Sequence, residues 1–296
     1  MSTASETAGP TFDLQSHSIH SDGELEPTEV VRLAGEAGVA LLALSDHDTT
    51  AGVEEALRAG VRFGVRVVPA TELSSVDPSG EDLHILGYRI DHDDPQLIER
   101  LASFRADRGR RADRMIAALR ELGFEVDERA IDARRAAGSP IGRPHLAAAV
   151  LNQPANAERL AAEGLPDASA FLVAYLIEGR PAFRGREVPT VSQAIATIHD
   201  AGGLAVWAHP FWDVKDPAEV LATIDRFRAD GLDGVETFYV THTEEQTLLL
   251  ADRCDELGLL STGSSDFHGP GHRLFSRFRA QGMFGRTARL GAIAEG

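Results

Sequence analysis

The chain has 296 residues, with 46 acidic against 29 basic side chains, a net charge of −17 and 43% hydrophobic content. This is the balance of a folded globular protein, and its acidic surface argues against a protein that coats duplex DNA. A single cysteine, Cys254, excludes an intrachain disulfide and a thiolate-based zinc or iron–sulfur site, and no apolar run approaches the ~18 residues of a membrane span, so no membrane partner is expected.

Residues 1–10 (MSTASETAGP) are polar, with no apolar segment or basic flank, and read as a disordered tail without a secretory signal. A cytoplasmic location follows as the expectation. Short apolar runs then alternate with amphipathic stretches. A strand over 12–16 runs into Gln15, His17 and Asp22, and a helix over 28–37 stops before Gly38. A strand over 41–45 ends at Asp46, His47 and Asp48, and a helix follows over 52–63. A strand over 67–72 ends at Glu72, and one over 84–90 begins at His84, as an antiparallel or crossing strand would. From about 95 to 188 the pattern holds no strand, with helices at 96–122, 144–150 and 168–177. The rhythm resumes with a helix at 191–201 and a strand at 204–208 ending at His209. A helix at 217–230, a strand at 234–239, a helix at 244–257 and a strand at 259–264 ending at Asp266 and His268 complete it. The Arg-, Gly- and Phe-rich segment after Gly269 has no assigned element.

The β–α repetition predicts an α/β fold with a mostly parallel sheet, open or closed into a barrel. Its discontinuous domain would cover 11–94 and 189–296, interrupted by a helical insertion domain over 95–188. Functional groups in such folds gather at the carboxyl ends of the strands, so these imidazoles and acids should meet on one rim. Carboxylates crowded together without cations would have raised pKa values. Divalent metals relieve that repulsion, and neutral imidazole with carboxylate suits Zn, Mn or Fe(II). Lys215 is the only lysine, so 28 of the 29 basic residues are arginine. Genomic base composition explains that bias, or a preference for forked phosphate contacts.

Six motifs resemble the PHP (polymerase and histidinol phosphatase) family of metal-dependent phosphoesterases: DLQSHSIHSDG (13–23), ALSDHD (43–48), PATELS (69–74), LHILGY (83–88), AHP (208–210) and GSSDFHG (263–269). The SDG after the second motif histidine, with the helical insertion, resembles the branch containing nucleoside 3′,5′-bisphosphate phosphatases and 5′–3′ exoribonucleases. The resemblance implies a distorted (β/α)7 TIM-like barrel with two or three divalent metal ions, Mn2+, Zn2+ or Fe2+. One would take Gln15, His17, Glu72 and Asp266; a second would share Glu72 and add His84 and His209; a third would take Asp22, His47 and His268. The family pattern is Asp-Leu-His-x-His, so Gln15 is a departure, and an amide oxygen is a weaker ligand than imidazole for Zn or Fe.

The reaction implied is attack of a metal-bound hydroxide on the phosphorus of a nucleotide phosphomonoester, extending to 5′–3′ trimming of short single-stranded RNA. His209 and Asp266 would serve catalysis through the metals. His242, in YVTHT, would protonate the leaving group or hold a phosphate oxygen. Arg143, in GRPH, resembles the branch's phosphate-binding arginine, and Arg184, in GRPAFRG, is a second substrate-binding candidate. His20, Asp46 and Asp48 would orient the ligands, and His145 would cap a helix or support the site. Trp207 reads as core, whereas Phe211 and Trp212 would stack on a base or pack the rim. The basic run at 105–114 is a solvated helix face or a lip for RNA phosphates, to which the arginines of 273–289 would add. Two other readings stand beside this one: a histidinol-phosphate or other sugar-phosphate phosphatase, and a catalytically degenerate module that binds metal or nucleotide for regulation.

Overall fold

Leu41 and Ala43 of β2 (Leu41–Leu44) pack in one apolar cluster and Leu42 and Leu44 in another. Successive strand residues point to opposite faces, so a strand apolar at every position is buried on both sides. The same alternation brings Leu14, Val68, Ala70, Leu86, Tyr88, Val206 and Ala208 into the first cluster, which fills a barrel. The second lies outside, where β2 packs on α1 (Pro27–Glu36) and α2 (Val53–Phe63) through Val30, Val31, Ala34, Ala56 and Ala59.

The fold was obtained as a computed structural model, which describes residues 10–77, 82–136, 141–177, 179–184 and 189–295. The other strands are β1 (Phe12–Asp13), β3 (Arg66–Val76), β4 (Asp82–Tyr88), β5 (Leu204–Trp207), β6 (Gly234–Tyr239) and β7 (Leu260–Ser264). They form one sheet in the order β1 to β7. Neighbours are parallel except β4, which runs antiparallel to β3 and β5. That reversal puts His84, near the start of β4, on the same rim as the carboxyl ends of the other strands. The sheet closes where Leu14 N–H donates to Gly263 O at 3.1 Å and His17 N–H to Phe267 O at 2.8 Å. The seven-stranded α/β barrel expected from the sequence is the observed architecture.

Helices α8 (Val191–Asp200), α9 (Pro210–Asp213), α10 (Pro217–Ala229) and α11 (Glu244–Leu257) follow the insertion. Thr190 and Thr243 begin α8 and α11 with capping boxes closed by Gln193 and Gln246, each satisfying two amide groups that a helix start leaves open. β3 runs four residues past Glu72, held by antiparallel pairing of Ser74, Ser75 and Val76 with His84, Leu83 and Asp82. β1 is shorter than the expected strand, leaving Ser16 in an isolated bridge to Phe267.

The chain resolves into two compact units, one ending at Leu101 and resuming at Pro189, the other Ala102–Val188. The second contains most of α3 (Pro95–Glu121), with α4 (Glu128–Ala136), α5 (Arg143–Leu151), α6 (Ala157–Ala162) and α7 (Ala168–Phe171), which continues into a π-helical turn at Leu172–Leu176. Its core gathers Met115, Leu119, Ile131, Leu146, Val150 and Phe171. Helices α4 and α6 were not expected; the mean hydropathy of α4 is low, and Ile131 alone represents it in that core. The basic run inside α3 is not wholly a solvated face or a phosphate lip. Arg111 is 6% exposed, donates from Nε to Arg184 O at 2.9 Å and lies 5.4 Å from the centre of the Phe183 ring.

The expected tail lies outside the described residues apart from Pro10, whose carbonyl accepts from Arg279 Nε at 2.6 Å. The unassigned C-terminal segment closes the barrel's other end. Ile293, in a 3-10 turn at Gly291–Ala294, is buried among Leu14, Leu41, Val68 and Val206. Arg279 also donates to Ala37 O, Arg286 pairs with Asp252, and Arg289 lies 3.7 Å from Asp255. Arg279, Arg286 and Arg289 thus meet backbone carbonyls or carboxylates of the chain itself. No described helix is long and apolar enough to cross a membrane.

Candidate metal centre

On β3 the inward positions that carry Val68 and Ala70 reach Glu72 next, and on β4 the inward run back from Tyr88 and Leu86 reaches His84. The alternation that packs the barrel therefore delivers polar side chains where the packed layers end. Glu72 is fully buried and is the hub. Its Oε1 lies 2.7 Å from His84 Nδ1 and 3.2 Å from His209 Nε2. Its Oε2 lies 3.2 Å from His17 Nε2 and 3.7 Å from His47 Nδ1.

Asp22 and Asp266 extend the cluster. Asp266 Oδ1 stands 3.1 Å from His17 Nε2 and 3.6 Å from His268 Nδ1. Asp22 faces His17 Nδ1 at 3.6 Å, His47 Nε2 at 3.5 Å and His268 Nε2 at 3.5 Å. Two compact sets of ligand atoms result: His17, Asp22, His47 and His268, and His47, Glu72 and His84. His47, expected in one set, belongs to both.

The loops that aim these groups are tightly specified. Asp46 accepts from Ser18 N–H at 2.8 Å, from Ser18 Oγ at 2.6 Å and from Ser21 Oγ at 2.6 Å, which shapes the loop carrying His17 and Asp22. Gly23 ends that loop, and a Cβ there would lie 2.3 Å from His17 O. Asp48, at φ +52°, donates its N–H to Glu72 O and accepts from Ser74 N–H, setting His47 against β3. His209 and Asp266 also hold left-handed backbone, at φ +32° and +52°. Such conformations are costly for residues with a Cβ and persist where the surroundings impose them. For His209 the constraint is Glu236 Oε2, which accepts its N–H at 2.9 Å.

Electrostatics follow from this crowding. Burial opposes charge on the His17 ring, but Asp266 and Glu72 outweigh it and hold its pKa well above the usual imidazole range. His209 is raised likewise, against burial, by Asp213 and Glu72. His47, where burial prevails, is lowered to about 4. Burial works against ionised Glu72 and Asp22 too, yet the surrounding histidines keep both pKa values well below the carboxylate range. In the bare chain, protons on imidazole balance the carboxylates.

Divalent cations fit this arrangement. His17 Nε2, His47 Nδ1, His84 Nδ1, His209 Nδ1 and Asp266 Oδ1 are buried and make no hydrogen bond. Atoms held ~2.1 Å from one cation at right angles stand ~3 Å apart, close to the shorter spacings found here. Gln15, expected among the ligands, lies against Glu72. Its Nε2 donates to Glu72 Oε2 at 2.9 Å, and its Oε1 lies 3.4 Å from Ser264 Oγ, whose proton goes to Glu236 Oε1 at 2.6 Å. In this metal-free arrangement the Gln15 amide satisfies one oxygen of Glu72.

His242 is buried beside the cluster. Its Nδ1 lies 3.1 Å from Thr237 O, which accepts only, so Nδ1 carries the proton and buried Nε2 keeps a lone pair. Burial lowers its pKa to about 4. Arg143 is the first residue of α5, and Arg184 Nη1 donates to Phe183 O at 2.8 Å and Pro181 O at 3.1 Å; both belong to the second unit. His145 Nδ1 accepts from Gly142 N–H at 2.9 Å as a helix cap, His20 is exposed, and Trp207 is fully buried.

Two participants escaped the sequence reading. Tyr239 donates its hydroxyl to Asp266 Oδ2 at 2.8 Å. Glu236 accepts from Ser264 Oγ at 2.6 Å as well as from His209, and burial pushes its carboxyl up to about 8. A charged residue inside the apolar strand GVETFY was the available signal.

No family model matches the chain. It is 35% identical over 260 residues to the 5′-3′ exoribonuclease of Haemophilus influenzae, covering 88% of this chain and 90% of the relative. It is 34% identical over 263 residues to the 3′,5′-nucleoside bisphosphate phosphatase of Chromobacterium violaceum, with 88% of each covered. It is 35% identical over 272 residues to the phosphoribosyl 1,2-cyclic phosphate 1,2-diphosphodiesterase of Eggerthella lenta, covering 87% of this chain and 94% of the relative. A crystal structure described as a putative metal-dependent phosphoesterase from Bifidobacterium adolescentis superposes with a TM-score of 0.67 at 29% identity, covering 90% of this chain and 91% of that one. The chain belongs to the PHP family of metal-dependent phosphoesterases. As a PHP protein it is a hydrolase of phosphoric ester bonds, and divalent metals are its cofactors.

Proposed function

We propose that this PHP protein hydrolyses the phosphomonoester of a nucleotide, of the nucleoside 3′,5′-bisphosphate type, and that the same centre trims short single-stranded RNA from its 5′ end. The observation that carries the reading is the Glu72 carboxylate, buried with both oxygens directed at imidazoles of four different loops and strands. Two or three divalent cations bound there, Mn2+, Zn2+ or Fe2+, would activate water and screen phosphoryl charge. His17, Glu72, His84, His209 and Asp266 would hold one group, and Asp22, His47 and His268 another. Tyr239 fixes the Asp266 carboxylate and Glu236 fixes the His209 backbone, so the ligands are oriented before a cation arrives. The relatives that act on nucleoside bisphosphates and RNA, at 34% and 35% identity, support the substrate class.

Arg143 is the phosphate clamp of this reading, on its resemblance in GRPH, because guanidinium meets phosphate with two parallel donors. Arg143→Lys keeps the charge and loses the fork, so KM for a nucleotide should rise about tenfold. The test of the function is direct. Metals per chain are measured by elemental analysis, and turnover of adenosine 3′,5′-bisphosphate, histidinol phosphate and a 5′-phosphorylated oligonucleotide is compared with Mn2+ present and after EDTA. Preference for the bisphosphate, abolished by EDTA, is expected. Preference for histidinol phosphate makes it a sugar-phosphate-type enzyme, and full metal loading without turnover makes it a binding module.

A further inference from the structure

Two aromatic residues follow His209, and the structure sends them in opposite directions. α9 turns each residue by about 100° from the last. Phe211 is buried, its ring edge-on to His242 at 5.6 Å, and so is not available to a base. Trp212 faces outward, 42% exposed. A lone surface tryptophan would need no explanation. This one ends a continuous line of rings that leads into the metal centre. Its ring lies 5.6 Å from Phe275, and Phe275 lies 5.4 Å from His268, one of the three imidazoles that face Asp22.

Lys215, the only lysine, completes the feature. Its Nζ donates to Phe211 O at 2.9 Å and to Trp212 O, and stands 5.9 Å from the centre of the Trp212 ring. The indole is thus held from its own backbone by a cation and flanked by Phe275 and Tyr239, with Tyr239 6.5 Å away. A large, rigid, half-exposed π surface beside a centre that handles phosphate is what a nucleobase stacks on, since every base presents a π face whatever its hydrogen-bonding edge. Two ring-to-ring steps, of 5.4 and 5.6 Å, separate His268 from Trp212.

We infer that Trp212 is the base-stacking platform of the active site: with a phosphate at the Asp22–His268 end of the centre, the base lies on the exposed indole face. The inference rests on the nucleotide reading above and adds that recognition is by stacking, tolerant of base identity, rather than by an edge-reading pocket.

The chain has two tryptophans, and Trp207 is fully buried, so ligand-dependent quenching reports on Trp212. The Zn2+-loaded protein is titrated with adenosine 5′-monophosphate, a product of the proposed reaction, and with ribose 5-phosphate, which lacks the base. The nucleotide should quench emission and the sugar phosphate should not. Trp212→Phe keeps a smaller stacking ring and should bind the nucleotide with the quench lost. Trp212→Ala should reduce the affinity ratio of nucleotide to sugar phosphate about tenfold, by calorimetry on protein whose circular dichroism matches the wild type. Uridine 5′-monophosphate should follow the same pattern. An unquenched Trp212 in saturating nucleotide, or an affinity ratio unchanged in Trp212→Ala, overturns the platform. Failure of the functional reading looks different: no turnover of any nucleotide by the wild type, whatever the quench.

Discussion

Tyr239 touches no imidazole of the centre by hydrogen bond, yet its hydroxyl holds Asp266 Oδ2 at 2.8 Å and so directs Oδ1 toward His17. Tyr239→Phe keeps the ring and removes that restraint, and metal affinity should fall about 10–100-fold, read by competition with a chromogenic chelator. The same residues set a pH dependence. Burial disfavours charge on His17 and His209, but Asp266, Asp213 and Glu72 hold both pKa values well above the ordinary imidazole value, so the metal-free rings keep protons at neutral pH. A cation must displace them. Metal affinity should therefore rise with pH through neutrality, and loading should release protons, visible as a buffer-dependent enthalpy in calorimetry. Affinity that is flat from about pH 6 to 8 would contradict this assignment.

At the scale of the element, strand-end loops decide where ligands point. The loop from His17 to Gly23 spends its polar groups on Asp46 and turns back so closely that Gly23 has no room for a side chain. Gly23→Ala should displace the His17 carbonyl, costing about 1–3 kcal/mol in urea unfolding and lowering metal content with it. Normal stability with full metal content would show that the loop yields more easily than its contacts imply. The period-two pattern made β3 and β4 legible, because apolar residues alternate inward until the polar ligand takes the next inward place. α4 was not legible, because few apolar residues mark a helix whose burial depends on neighbours distant in sequence.

For the whole molecule, the barrel has a chemical end and a structural end. Ile293 is 1% exposed and plugs the structural end. Ile293→Ala should cost about 2–5 kcal/mol of unfolding free energy while metals per chain stay constant, which separates the plug from the centre. Chelation should act from the other end. Cations bind only the assembled ligands, so EDTA should lower Tm, by an amount equivalent to about 2.7 kcal/mol if free metal had stood at 100 times Kd. A Tm insensitive to EDTA in metal-loaded protein would mean that the cations do not bind the folded chain in preference to the unfolded one.

The sequence by itself determined the strands of the barrel and the helices between them, the barrel class and the family, and it nominated candidate imidazoles and acids, because periodicity and short motifs are local and survive without coordinates. Only the tertiary structure decided how those side chains are used. It turned the Gln15 amide nitrogen to Glu72, put the His242 proton on the nitrogen facing Thr237, buried Arg111, and drew Glu236 and Tyr239 behind the ligands. Each outcome depends on which donor or acceptor lies opposite, and that partner comes from another strand or loop. A side chain's role is a property of the pair, and the pair exists only once the barrel has closed.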